Sequence, residues 1–242
     1  MRVGIMQPYF FPYVGYFQLM AAVDVFVLHD DVQFIKAGWV HRNRFLLNGE
    51  AAWFGLQLAQ GPSTALIRER EIAPSFDATQ LVRRIAAAYH RAPERDAALQ
   101  LLQDVLAAGD RGLADVNERG LRRVGEFLRI ATPIVRSSSL QLDPELRAQA
   151  RVIEIVRRMR GDTYVNPIGG LGLYDEAAFA EAGQQLRFHR CGEVAYPQFG
   201  STFVPSLSIL DVLMFNAPAS VAAMLRQCCI DTPAAMRPAG DA

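Results

Sequence analysis

Ten residues near the start of the chain, Gln7-Pro-Tyr-Phe-Phe-Pro-Tyr-Val-Gly-Tyr16, hold three tyrosines, two prolines and a glycine. Tyr9, Tyr13 and Tyr16 offer hydroxyls and stacking faces, and Gly15 would let a phosphate or nucleotide come close to the backbone. A second stretch runs from Asp30-Asp31-Val-Gln33 through Lys36 and Trp39 to Arg42-Asn43-Arg44. Adjacent carboxylates suit a Mg²⁺ held through water, or the acceptance of a proton. Lys36, Arg42 and Arg44 suit a clamp on phosphate or carboxylate, arginine through its two-pronged fork. A third stretch, Asn166-Pro-Ile-Gly-Gly-Leu-Gly-Leu-Tyr174, is loose enough to wrap a ligand in backbone amides. It lacks the Gly-Lys-Ser/Thr ending of a Walker loop and the spacing of a dinucleotide fingerprint.

Catalysis is therefore expected of Asp30, Asp31, Lys36 and Arg42. Ligand contacts are expected of Gln7, Tyr9, Tyr13, Gly15, Tyr16, Gln33, Trp39, Asn43, Arg44, Asn166, Gly169, Gly170 and Tyr174. Tyr196, Gln198, Ser208 and Asp211 form a weaker group, the last two reading first as helix caps. His29 and His41 flank the charged stretch and read as structural. Neither a zinc-type Cys/His spacing nor a Gly-x-Ser-x-Gly elbow is present, and no resident metal site is expected.

These stretches need a scaffold. Arg2 to Met6 and Val25 to His29 are apolar enough for buried strands, and the run between them, Tyr13 to Val23, suits a helix. Strand, helix and strand within thirty residues make a βαβ unit, the building block of a parallel sheet, whose ligand crevice lies beyond the strands' carboxyl ends. Further strands are expected at Ala52–Leu58, Ile67–Ile72, Ile134–Val135, Thr163–Val165 and Leu186–His189. The middle reads as helical: one helix capped by Asp77, one from Pro93, and one from about Leu113 to Leu128. Asp143-Pro144 reads as the opening of another, with Leu146, Ala150, Ile153 and Val156 inward. Phe179 belongs to a short helix, and Ser208-Ile-Leu-Asp211 opens a late one. The fold class expected is α/β, a parallel Rossmann-like core of nucleotidylyl-transferase type with a mostly helical middle and C-terminal part. One domain would span 1–226, with a helical insertion at about 75–130 and a tail at 227–242.

Composition narrows the class of function. The 242 residues are 51% apolar, with 25 basic against 25 acidic side chains. Disorder and a dedicated nucleic-acid-binding role both need a different balance. The most apolar stretch, Phe203 to Leu225, is broken by Asp211, Asn216 and Pro218, so membrane insertion is not expected. Cys191, Cys228 and Cys229 make no disulfide framework, which fits a cytoplasmic setting; Cys191 reads as a small buried hydrophobe.

The tyrosine stretch, Asp30-Asp31-Val-Gln33, Trp39 with Arg42-Asn43-Arg44, Tyr89 with Ala92-Pro93, Tyr164-Val-Asn-Pro167, Gly169-Gly170, Leu173-Tyr174 and Leu207-Ser-Ile-Leu-Asp211 together resemble the WbqC-like protein family over roughly residues 1–226. The resemblance implies a bacterial protein associated with O-antigen or other surface-polysaccharide gene clusters. It also implies a role in attaching glycine or another acyl group to an amino sugar. One departure is Glu94-Arg95, where members often carry an aromatic pair. A more distant similarity joins the first strand, the proline and the glycine-containing helix start to the nucleotidylyl-transferase superfamily, which includes pantoate–β-alanine ligase. Tyr13-Val-Gly-Tyr16 stands where those enzymes place His-x-Gly-His, so either the ligand is less charged or Lys36 and Arg42 supply the charge that tyrosines lack.

The expected function is that of an acyl or aminoacyl transferase or ligase acting on an amino sugar nucleotide, with ATP and Mg²⁺ as its cofactors if an adenylate forms. The alternative is a sugar- or partner-binding protein of polysaccharide assembly that does no chemistry. A metal-dependent glycosyltransferase using Asp30-Asp31 ranks last. Oligomeric state is left open.

Overall fold

The computed structural model describes residues 1–200 and 202–237. In chain order the elements are β1 (Arg2–Met6), α1 (Val14–Ala21), β2 (Val25–Leu28), β3 (Arg42–Leu47), β4 (Glu50–Gly55), α2 (Ala78–Ala88), α3 (Arg95–Ala107), α4 (Leu113–Phe127), β5 (Ile134–Arg136), α5 (Ala148–Arg158), β6 (Thr163–Pro167), α6 (Glu176–Glu181), β7 (Gln185–Cys191), α7 (Ile209–Phe215), α8 (Pro218–Met224), β8 (Cys228–Asp231) and α9 (Pro233–Met236). Six strands form one sheet in the order β5-β2-β1-β6-β7-β8, while β3 and β4 pair separately as an antiparallel hairpin. Every pair in the large sheet is parallel except β7 with β8. This is the α/β, mostly parallel Rossmann-like core that the sequence implies.

Alternation along the strands builds two core layers. Val3, Ile5, Val25, Val27, Tyr164, Leu186 and Phe188 face α5 and α6. Phe26, Leu28 and Val165 face the other way, into a larger core with α1, α2, α3, α4, α7 and α8. The chain steps outward from β1 through β2 to β5, then crosses back to β6 and continues to β7. That reversal, between β1 and β6, opens the sheet's carboxyl edge as the natural ligand crevice.

Several sequence expectations change here. Ile67–Ile72 is not a strand: Ile67–Glu69 is a turn of 3₁₀ helix, and Leu58 and Ile72 meet only in an isolated bridge. Asp143 accepts a hydrogen bond from the Glu145 amide and closes a local turn, while α5 begins five residues later. Its buried residues are Val152, Ile155 and Val156, with Ile153 packed beside them, so Val156 and Ile153 of the anticipated stripe face inward while Ala150 is exposed and Leu146 lies ahead of the helix. In the stretch taken for a tail, β8 covers the edge of β7 and α9 follows it. Asp77 caps α2 as expected, accepting from the Gln80 amide at 2.9 Å. Among the described residues no helix is long and apolar enough to cross a membrane.

Candidate functional site

The loop after β1 is a rigid object before any ligand arrives. Its two prolines have no N–H to satisfy, and its carbonyls are taken up by donors from around the fold. The Tyr16 hydroxyl donates to the Gln7 carbonyl at 2.9 Å. Asn117 of α4 donates to the carbonyls of Pro8 and Val40 at 2.8 and 2.7 Å. Asn43 of β3 donates to Phe10 and Phe11 at 3.3 and 2.8 Å. The Ser208 hydroxyl adds a bond to Phe11 at 2.7 Å, and the Ile209 amide one to Pro12 at 2.8 Å. Phe11 is held at φ 41°, a left-handed value that a phenylalanine keeps only when its surroundings fix it. The product is a fixed loop that presents Tyr9 and Tyr13.

Those tyrosines line a cleft of about 480 Å³ with Met6, Pro12, Trp39, Asn43, Arg44 and Ser206. Met6 ends β1, so the cleft lies at the carboxyl edge where the sheet reverses. Burial raises the Tyr9 and Tyr13 hydroxyls above their ordinary values, which keeps both neutral donors at pH 7. The Arg44 guanidinium lies 5.4 Å from the centre of the Trp39 ring and donates to the Ser206 carbonyl at 3.2 Å. Its Nε is buried without a hydrogen-bond partner among the described residues. Trp39 packs on Trp53 with centroids 5.2 Å apart, and Arg42 lies 4.3 Å over Trp53. The result is a ladder of two tryptophans between two arginines. Among the described residues none of Lys36, Arg42 and Arg44 joins an ion pair, whereas Arg95, Arg119, Arg122, Arg123, Arg136, Arg151, Arg157 and Arg158 all do. Unpaired cations beside stacked aromatics suit an anion that also carries a flat or ring-shaped group.

A second groove of about 450 Å³ shares Tyr13 and Ser206 with the first and continues past Cys191, Val194, Tyr196 and Phe203. Its floor rests on a buried polar hub. Asp211 accepts hydrogen bonds from Tyr89, Tyr196 and Gln198 at 2.7, 2.6 and 2.7 Å. Tyr89 in turn accepts from the Leu46 amide at 2.8 Å, tying β3 to α7. Burial raises the Asp211 carboxyl despite those donors. Ser208 does cap α7, through the Leu210 amide, but Asp211 turns inward and takes no part in capping.

The other expected site residues are placed elsewhere. Asp30 is 1% exposed, and its oxygens are held by the Ser137 hydroxyl and by the amide and hydroxyl of Ser138. Asp31 is held by Ser137 and by Arg151 of α5. With their oxygens so engaged, the pair does not fit a water-bridged Mg²⁺, nor is either aimed into the cleft as a base. Among the described residues no group of three or more His, Cys, Asp or Glu is placed to hold a metal ion. Asn166 accepts from the Tyr164 hydroxyl at 2.8 Å, and Tyr174 packs edge-on against Tyr164 at 5.3 Å. By strand alternation these lie on the α5 face with Gly169 and Gly170 beyond them, across the sheet from the cleft. The glycine turn therefore does not join the two early loops in one lining.

Tyr16 is a core anchor, 1% exposed, rather than a ligand contact. At Gly15 a Cβ would run into the Tyr13 ring, so this glycine makes room for the tyrosine, not for a phosphate. Gln33 is exposed and donates to the Ser63 carbonyl, Lys36 is exposed, and Gln7, like both of these, is outside the lining. Arg42 donates to the carbonyls of Ala37 and Gly38 and stands beside the cleft. Sequence reading missed Trp53, Ser206 and Asn117. Trp53 could have been found from β3–β4 pairing, which sets it opposite Arg44; nothing local marks the other two. A larger concavity of about 680 Å³ lies between β4 and α2, lined by Gln57, Ser75, Asp77, Gln80, Arg83 and Arg84 among others. Its lining contains none of the motif residues.

Fold and site together define a Rossmann-like α/β protein with an aromatic, cationic cleft where its sheet reverses. The chain matches the WbqC-like protein family over residues 7–223 and belongs to that family. It is 29% identical over 230 residues to the uncharacterized protein Rv1507c of Mycobacterium tuberculosis, an alignment covering 94% of this chain and 98% of that one. No solved structure matches the chain.

Proposed function

We propose that the cleft binds an amino sugar nucleotide of bacterial surface-polysaccharide (O-antigen) synthesis, on whose amine glycine or another acyl group is placed. The observation that carries this reading is Arg44, unpaired and stacked on Trp39, facing two neutral tyrosine donors across a cleft of small-molecule size. Arg44 would hold the diphosphate, with Arg42 and Lys36 adding to the local positive potential. Trp39 would support the base or sugar ring, and Tyr9 and Tyr13 would donate to sugar or phosphate oxygens. The preset loop lowers the ordering cost of binding. An adenylate route would need ATP as a second substrate, and ATP is accordingly one arm of the test. The reading also places the protein in the cytoplasm, where such nucleotides are found.

A second reading, recognition of the same ligand without chemistry, is favoured by one feature: among the described residues no carboxylate or imidazole lines the cleft. The test has two parts. UDP, UDP-N-acetylglucosamine, a 4-amino sugar nucleotide and ATP are titrated against the protein and against Arg44→Ala, following tryptophan fluorescence. Arg44→Ala should weaken binding of the preferred nucleotide at least tenfold, about 1.4 kcal/mol, without unfolding the chain. The protein is then incubated with ATP, glycine and the 4-amino sugar nucleotide. Amide with phosphate or pyrophosphate supports transfer; binding without product supports recognition alone. If none of the nucleotides perturbs the fluorescence or the Tm, both readings fail.

A further inference from the structure

Cys191 closes β7, Cys228 opens β8, and the antiparallel register sets the two directly opposite each other. In the next pair outward, the Gly192 amide donates to the Gln227 carbonyl at 2.7 Å. Hydrogen-bonded and open pairs alternate along such a ladder, so Cys191 and Cys228 occupy an open pair. There the opposed Cα atoms come closest, at about 4.5 Å. A disulfide accepts Cα separations from about 4.4 to 6.8 Å, so the backbone already meets the requirement. Paired residues project from one face of a sheet, and both thiols are half-buried and free. Cys229, next in sequence, is exposed, lies opposite Arg190 and by alternation projects from the other face.

We propose that Cys191 and Cys228 form a reversible cross-strand disulfide when the protein meets a small disulfide oxidant. The thiolate of one cysteine attacks a sulfur of oxidised glutathione and expels one glutathione thiolate. The thiolate of the other then attacks the protein sulfur of the mixed disulfide and expels the second. Two protein thiols give up two protons and two electrons, and the reagent leaves as two thiols. Burial raises both thiols above the ordinary range, which makes the reaction slow at neutral pH and faster in mild alkali.

The bond would fasten the two ends of segment 192–227. That segment supplies Tyr196, Ser206 and Asp211 to the groove and its hub, and Cys191 itself lines the groove. The thiol pair would thus control how firmly one wall is held. This inference is independent of what the cleft binds.

The full chain carrying Cys229→Ser is incubated with oxidised glutathione at pH 8.5, alkylated and digested with trypsin. The tryptic peptide running from Cys191 to Arg226 should emerge linked to the one beginning at Gln227. Free thiols in this variant should fall from two to none, and dithiothreitol should restore them. The Tm of the oxidised monomer should rise by about 5–15 °C, as closing a loop of this length implies. Cys228→Ser should abolish the link. Glutathione adducts without a link, or a link found only between chains, would overturn the proposal. So would a Cys228–Cys229 bond as the product in the unmodified protein.

Discussion

Among the described residues Asp211 has no cation beside it, only two tyrosine hydroxyls and a glutamine amide. A carboxylate this deep is tolerated because each oxygen receives at least one donor, and the donors are stranded if it is removed. Asp211→Ala should lower unfolding free energy by about 2–4 kcal/mol in urea titrations, more than a surface substitution would. Because burial raises its folded-state pKa above the ordinary 3.8, the folded chain holds this proton more tightly than the unfolded one. Its contribution is therefore fully present below pH 3.8 and is lost as pH rises through the folded value. The stability gap between the parent and Asp211→Ala should widen as pH falls from neutral toward 3.8; a gap that narrows would contradict the raised value. Local reading made Asp211 a cap because it lies three residues after Ser208. The partners that redirect it, Tyr89 and Tyr196, come from distant segments, and no local window contains them. Asp30 and Asp31 fail as site residues for the same kind of reason. Ser137, Ser138 and Arg151 are more than a hundred positions away in the chain.

Among the elements, β2 is legible because all four of its residues are buried and apolar, and β1 because Val3 to Ile5 are buried behind an exposed Arg2. β3 is not, since Arg42-Asn43-Arg44 reads as a charged loop. The hairpin accommodates those charges by laying each guanidinium on a tryptophan of its own neighbourhood. The opening of α5 was misplaced because Asp-Pro chemistry serves a turn as well as a helix. In β7, His189 is 2% exposed, its Nε2 has no partner among the described residues, and burial lowers its pKa to about 4. The unfolded chain takes up this proton near pH 6.5 while the folded chain resists it. Stability is thus fully present above pH 6.5 and is lost as pH falls toward 4, by about 2–3 kcal/mol at most. His189→Leu should flatten that limb in urea titrations between pH 7 and 4. An unchanged slope would mean that β7 accepts the charged ring.

At the scale of the molecule, β8 is the antiparallel strand that covers the edge of an otherwise parallel sheet. Removing residues 228–242 leaves the outer edge of β7 unpaired, a ready template for strand addition. The truncated chain should melt at lower temperature and show concentration-dependent association in size-exclusion chromatography, while the full chain elutes unchanged across the same range. The sequence signalled that a parallel sheet exists but did not signal which strand closes it. Cys228-Cys-Ile-Asp231 is short, and half of it is exposed.

The placement of β1 between β2 and β6 carries a last consequence. One neighbour follows β1 within a single short helix, whereas the other arrives only after α1 through α5 have intervened. The centre of the sheet therefore waits on a pairing between segments very far apart in the chain, and such closures are slow. A nascent chain halted before α5 would hold Val3 and Ile5 without their cover, which is the stage at which a chaperone would find most to bind.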